Sequence, residues 1–206
     1  MEAEKSPLRV RTLLSHDGTI KIEKFPAAEV SRWALYPERL PPPRNAQQEL
    51  NVSPLTGGAL TLGADDNVHG DPPYDGPWEV IPDTQRTTPS PFTSYKTTSR
   101  DMYMSARERV GIKDMADKKE VLIVSDSGEI MEGSLTTIYL FRNGRWVTPP
   151  ESSGGQIGTT RRWALRQGWC VEEVINVESL VESEQCWISN GVRGFQIGKI
   201  KLGSGK

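Results

Sequence analysis

From Val121 to Ile200 the chain runs as short apolar segments punctuated by turn residues, and this pattern constrains the fold more than any other feature. Val121 to Val124 ends in the turn Asp126-Ser127-Gly128. Thr136 to Phe141 is followed by Asn143-Gly144, a strong hairpin signal, with Trp146-Val147 on the return strand. Val171 to Ile175, Cys186 to Ile188 and Phe195 to Ile200 read as further strands. Helical patterns interrupt the series. Thr97 to Arg109 carries Met102, Tyr103, Ala106 and Val110 on one face, and Gly111 stops it. Thr159 to Gln167 opens after Gly154-Gly155 and closes at Gly168, and Glu178 to Glu182 reads as a shorter helix. The expected fold class is therefore α/β (α+β), with a mostly antiparallel mixed sheet and flanking helices.

The rest of the chain differs. In residues 1–25, Leu8, Val10, Thr12 and Leu14 alternate with more polar neighbours, Asp17-Gly18 turns the chain, and Ile20 and Ile22 alternate on the way back, which predicts a hairpin. Residues 26–93 contain Pro41-Pro42-Pro43, Pro72-Pro73 and Gly57-Gly58, with sparse apolar residues. A helical turn at Val30 to Leu35 and a short strand at Gly58 to Leu62 are the regular pieces expected in an otherwise irregular connection. Residues 94–206 form the third zone and hold the regular structure.

Charge excludes some functions. The chain has 25 basic and 27 acidic side chains, a net charge of -2, which argues against a nucleic-acid partner. No stretch approaches the roughly 18 apolar residues that span a bilayer, so no membrane partner is expected and a cytoplasmic location is. Cys170 and Cys186 lack a short metal-binding spacing and read as buried, reduced thiols.

Four segments carry candidate chemistry. Lys96, in Ser94-Tyr95-Lys96-Thr97-Thr98-Ser99-Arg100, precedes a predicted helix, whose dipole would favour its unprotonated, nucleophilic form. Glu132 sits at the mouth of an apolar strand, followed by the small and hydroxylated residues Gly133 to Thr137, where a carboxylate can pair with a heterocyclic nitrogen. Gly154 to Gly158 leads into a helix start at Thr159 and Thr160, whose free N–H groups can cradle a phosphate. A strand ends in Ser189-Asn190-Gly191, a turn with further donors for an anion.

In this order, with Thr148-Pro149 between the second and third, the segments resemble the class IV aminotransferase superfamily of fold-type IV pyridoxal-phosphate (PLP) enzymes. The Tyr-Lys-Thr-Thr-x-Arg-x-x-Tyr string is most similar to its aminodeoxychorismate lyase branch, in the fungal form. The resemblance implies the large C-terminal domain of a D-amino-acid aminotransferase-like fold, a pseudo-barrel, over residues 94–206. It implies that residues 1–25 are what remains of the small domain, and that residues 26–93 connect the two. It further implies PLP as cofactor and a small-molecule amino substrate. Lys96 would be the Schiff-base lysine and Glu132 the partner of the pyridine nitrogen. Thr137, Gly158, Thr159, Thr160, Ser189, Asn190 and Gly191 would bind the cofactor, Arg161 would anchor its helix or loop, and Arg100 would take a substrate carboxylate. The implied reaction converts 4-amino-4-deoxychorismate to 4-aminobenzoate and pyruvate, a folate-pathway step. The alternatives are transamination of branched-chain or D-amino acids, and a shortened, non-catalytic binding subunit. Family enzymes are dimers, so a homodimer is the expected assembly. The six tryptophans, Trp146, Trp163 and Trp169 among them, are expected mainly in the core.

Overall fold

A computed structural model describes residues 6–43, 76–114 and 117–203. The strand expected at Gly58 to Leu62 lies outside these residues. In chain order the regular elements begin with β1 (Leu8–Leu14), β2 (Ile20–Pro26), the short helix α1 (Arg32–Leu35) and β3 (Trp78–Thr87). Helices α2 (Pro91–Ser94) and α3 (Asp101–Arg109) follow, then β4 (Lys119–Ser125), β5 (Ile130–Gly133), β6 (Thr137–Arg142) and β7 (Arg145–Thr148). The chain ends in α4 (Thr159–Arg166), β8 (Cys170–Glu172), β9 (Gln185–Asn190) and β10 (Gly194–Ile200).

β1 and β2 pair antiparallel as a separate hairpin, from Leu8 opposite Pro26 to Leu14 opposite Ile20. The other eight strands make one sheet in the order β5-β4-β3-β10-β9-β6-β7-β8. Four of its pairings are antiparallel, and three (β10 with β3, β3 with β4, β7 with β8) are parallel. The sheet curls until its ends meet. Ile130 N donates to Ile175 O at 2.7 Å, and Val177 N donates to Gly128 O at 2.9 Å. The strand expected to run to Ile175 stops at Glu172, and Ile175 and Asn176 instead seal this seam.

Curling gives the sheet two buried faces, which is why Val121 to Val124 reads as a continuous apolar run rather than an alternating one. Leu122, Val124, Ile138, Leu140 and Ile188 point inward with Val80 and Ile200. Their neighbours Val121 and Ile123 point outward beneath Tyr103 and Ala106 of α3. Tyr139, Trp187 and Phe195 point outward beneath Ala164 of α4. Trp146 is buried in this last cluster, and Trp163 and Trp169 pack against it edge to face, with their ring centroids 4.6 Å apart.

Residues 26–93 are not simply a connection. β3 lies within them and is a central strand of the barrel, between β10 and β4. Its sequence, Trp-Glu-Val-Ile-Pro-Asp-Thr-Gln-Arg-Thr, mixes polar residues with a proline. Pro82 lacks a ladder donor and sits where the register with β4 shifts, the kind of place a strand tolerates proline. Asp83 is buried beside it, and Arg109 of α3 grips it with two guanidinium–carboxylate bonds, Nε to Oδ1 at 2.8 Å and Nη2 to Oδ2. That pair locks the C-terminal end of α3 to the sheet.

At the other end of β10, Gly194 adopts φ +65, and a Cβ there would collide with the carbonyl oxygen of Ala34 in α1. Gly194→Ala should therefore destabilise the fold by about 2 kcal/mol or more, from left-handed strain plus overpacking. Its urea midpoint checks this, and an unchanged midpoint would show that α1 does not pack this closely.

Candidate active site

Glu132 is the centre of the site. Strict alternation from Ile130 would aim it into the barrel. The register between β4 and β5 shifts between Ile123 and Val124, so Met131 is an extra residue on β5. The bulge puts Glu132 opposite Ile123, on the outer face beneath α3. There its carboxylate accepts a hydrogen bond from the Tyr103 hydroxyl at 2.5 Å, and another from the backbone N–H of Gln156. Burial pushes the Glu132 carboxyl up to about 7, against the opposing pull of these two donors and of Arg100. Burial, then the charge of Glu132, pushes the Tyr103 phenol far above its ordinary value. Tyr103 therefore stays protonated and donating.

The elevated carboxyl has a consequence for stability. The native state holds this proton from about pH 4.5, the ordinary value, to about pH 7, while the unfolded chain has released it. Over that window the contribution of Glu132 to stability falls as pH rises, by about 1.4 kcal/mol per pH unit. Glu132→Gln should lose this dependence. Denaturant melts of both proteins from pH 5 to pH 8 test it, and parallel curves would reject the assignment.

Glu132 and Thr137 share a crevice with Gly155, Gln156, Ile157 and Arg161. It is narrow, about 10 Å³, or room for one water. It is too small for an enclosing chamber and makes the floor of the candidate site. Gly155 crosses this floor so closely that a Cβ would collide with the carbonyl oxygen of Met131. Gly158 caps α4 and passes close to the Thr137 hydroxyl, which brings the free N–H groups of Thr159 and Thr160 to the same place. Thr137 lies directly opposite Ser189 in the β6–β9 ladder. The Ser189 hydroxyl is 2.9 Å from that of Tyr139.

The other sequence candidates fall into place around this floor. Lys96 is exposed, in the loop between α2 and α3. That loop is tied to the site where Gln156 Nε2 donates to Tyr95 O at 3.4 Å. α3 begins at Asp101 rather than at Thr97, so Lys96 lies beyond the reach of its first-turn dipole. Arg100 stacks on the Tyr103 ring, with Cζ 4.3 Å from the centroid, and donates to Ser134 O at 2.6 Å. Asn190 caps its own turn by accepting from Val192 N and Arg193 N, and it donates to Leu135 O. Its side chain is thus engaged in the turn, and Gly191 is exposed at the tip. Arg161 is buried and fixes the start of α4 through Pro149 O and Glu172.

Two side chains of the candidate site have no role in the sequence reading. Tyr103 reads there as part of an apolar helix face and as the end of the string that carries the resemblance, with no role of its own, although a buried tyrosine generally has a hydrogen-bond partner. Glu120, buried in β4, accepts from Ser134 Oγ, Thr136 Oγ1, Leu135 N and Val121 N, and so holds the turn that follows Glu132. Only its apolar surroundings hinted that this acid had partners.

A curled mixed sheet with helices outside and a polar floor beneath a helix start is the architecture of the class IV aminotransferase fold. Accordingly, residues 5–200 match the family of class IV amino-transferases, and the chain belongs to that family. The aminodeoxychorismate lyase of Saccharomyces cerevisiae is 34% identical over 139 residues, covering 60% of this chain and 37% of that protein. A Schizosaccharomyces pombe protein, provisionally described as an aminodeoxychorismate lyase, is 28% identical over 57% of this chain and 52% of its own length. The chain thus spans between a third and about half of the curated relatives it matches. A Mesorhizobium loti structure, provisionally described as an amino-acid aminotransferase, superimposes with a TM-score of 0.64 at 20% identity, covering 98% of this chain and 76% of that one. That likeness establishes the fold. No helix among the described residues is long and apolar enough to cross a membrane.

Proposed function

We propose that this chain carries the PLP site of an aminodeoxychorismate lyase, which converts 4-amino-4-deoxychorismate to 4-aminobenzoate and pyruvate. The observation that carries the reading is Glu132, a buried carboxylate turned outward by a bulge, with a pKa of about 7. Fit to the cofactor can be judged from the donor set. A carboxylate has about four acceptor positions. Tyr103 and Gln156 use two, which leaves acceptors for a protonated ring nitrogen. The free N–H groups at the start of α4 suit a phosphate. The likeness to the yeast enzyme supports the lyase over its alternatives.

PLP, when bound, supplies the electron sink for a carbanion. The chain's residues do the rest. Glu132 would pair with the ring nitrogen and favour its protonated form. Thr159 and Thr160 would hold the phosphate through their amides, with Thr137 and Ser189 beside them. Lys96 would hold the cofactor through its amine and would accept the proton from the substrate carbon that bears the amino group. Departure of enolpyruvate leaves an aromatic ring, and enolpyruvate becomes pyruvate on gaining a proton.

Incubation with PLP should give a yellow protein whose visible band is lost on borohydride reduction. Addition of aminodeoxychorismate should release 4-aminobenzoate. A protein that stays colourless with PLP would reject the reading. A keto acid with pyridoxamine phosphate, in place of 4-aminobenzoate, would make it a transaminase.

A further inference from the structure

We infer that Tyr103 is a positioning residue whose hydroxyl favours the ionised form of the Glu132 carboxylate and fixes its orientation, so that a proton shared with a ring nitrogen stays on the ring. The second half of this inference rests on the proposed function. The first half concerns the chain alone.

The geometry gives the Tyr103 hydroxyl one strong partner. Glu132 Oε1 is 2.5 Å away, whereas Thr93 O, the other acceptor, is at 3.5 Å. A short bond to a charged acceptor is the stronger kind. Tyr103 is 1% exposed, so water cannot replace the bond if it breaks. The ring is held on both sides of its task. Arg100 stacks on it and ties the same helix to Ser134 O, two residues beyond Glu132. Arg107, one turn further on, donates to Ser134 Oγ at 3.2 Å. Helix α3 and the Arg100 that precedes it therefore grip the segment Glu132 to Ser134 at three points, and of these only Tyr103 bonds to the carboxylate itself.

The sign of the effect follows. Burial drives Glu132 towards its protonated form, and the Tyr103 bond is the largest influence opposing it. The other groups that bear on Glu132 are the Gln156 N–H from the loop before α4 and Arg100 just before α3, which favour the anion, and Glu120 from β4, which opposes it. Without the hydroxyl, Glu132 becomes the better base and keeps the shared proton.

Tyr103→Phe keeps the ring and its Arg100 contact and removes only the donor. The test uses the full chain, free of cofactor, with ¹³C-labelled glutamate carboxyls and the Glu132 signal identified by its absence in Glu132→Gln. The wild-type signal should titrate near 7. In Tyr103→Phe the midpoint should rise by about one to two pH units, the worth of a hydrogen bond to a charged group. A difluorotyrosine placed at position 103, a stronger donor of nearly the same shape, should move it down. PLP affinity at pH 7.5, read from tryptophan quenching, should fall about tenfold in Tyr103→Phe, the equivalent of one such unit.

A Glu132 midpoint that stays put in Tyr103→Phe overturns the inference, whether or not PLP binds. If that variant does not fold, an unshifted midpoint with difluorotyrosine overturns it equally. If the midpoints shift as expected but wild type does not bind PLP, the coupling stands and the proposed function falls.

Discussion

Lys96→Ala should fold like the wild type and yet show no borohydride-sensitive visible band with PLP. Its release of 4-aminobenzoate should fall by about a thousandfold, the scale on which removal of a positioned proton-transfer group acts. The separation of the two effects is the informative part. Lys96 is exposed on a loop, and substitution at such a place generally changes stability by less than about 0.5 kcal/mol. Absorbance spectra, turnover and a thermal melt of the same preparation measure all three. A variant that keeps its visible band would move the Schiff-base role to another lysine. A variant that unfolds would mean that the loop carries structural weight the contacts do not show.

Glu120→Ala should have the largest effect on stability. Its carboxylate is 1% exposed and accepts four hydrogen bonds, from Ser134 Oγ at 2.6 Å, Val121 N and Thr136 Oγ1 at 2.9 Å, and Leu135 N at 3.3 Å. Truncation strands all four donors in the interior. The expected loss is about 3–5 kcal/mol, as for breaking a buried charged network. At roughly 2–4 °C per kcal/mol for a chain of this size, the melting temperature should fall by about 10 °C. Glu120→Gln, which retains one carbonyl oxygen and the shape, should lose less. Calorimetry measures both. A loss below about 1 kcal/mol in Glu120→Ala would mean that water or a rearranged turn replaces the carboxylate. Because three of these donors, on Ser134, Leu135 and Thr136, belong to the turn after Glu132, the Ala variant should also bind PLP more weakly than its remaining folded fraction accounts for.

Much of this fold was legible because its signals are local. Asn143-Gly144 makes the β6–β7 turn with both residues at positive φ, 52 for Asn143 and 78 for Gly144. Gly158 and the two threonines open α4, and Gly168, at φ +70, follows its end. The site segments were legible for the same reason. A carboxylate before small hydroxylated residues, and glycines before a helix start, are short strings whose chemistry depends on neighbours in sequence. The family resemblance implied Arg161 as an anchor of its helix or loop, and Arg161 binds Pro149 O and Glu172.

Other parts depended on partners far away in sequence. β3 looked irregular because polar residues and Pro82 interrupt it, and it becomes a strand because β10 and β4 offer ladders on its two sides. Its pairing with β10 joins Trp78 to Gly198 and Val80 to Ile200, contacts that no local pattern announces. The seam at Ile130 and Ile175 likewise exists only once the sheet has curled.

Glu132 shows where the division falls. The sequence by itself determined that a carboxylate would stand at the mouth of an apolar strand, before small hydroxylated residues and in order with a lysine and a glycine-led helix, because residue type and spacing are written along the chain. Only the tertiary structure decided which way that carboxylate faces. A strand's side chains alternate, so one extra residue, Met131, reverses the direction of everything after it. Whether the register takes up that residue is a matter of packing: α3 brings Tyr103 to the outer face, and a buried acid is stable only where such a donor meets it.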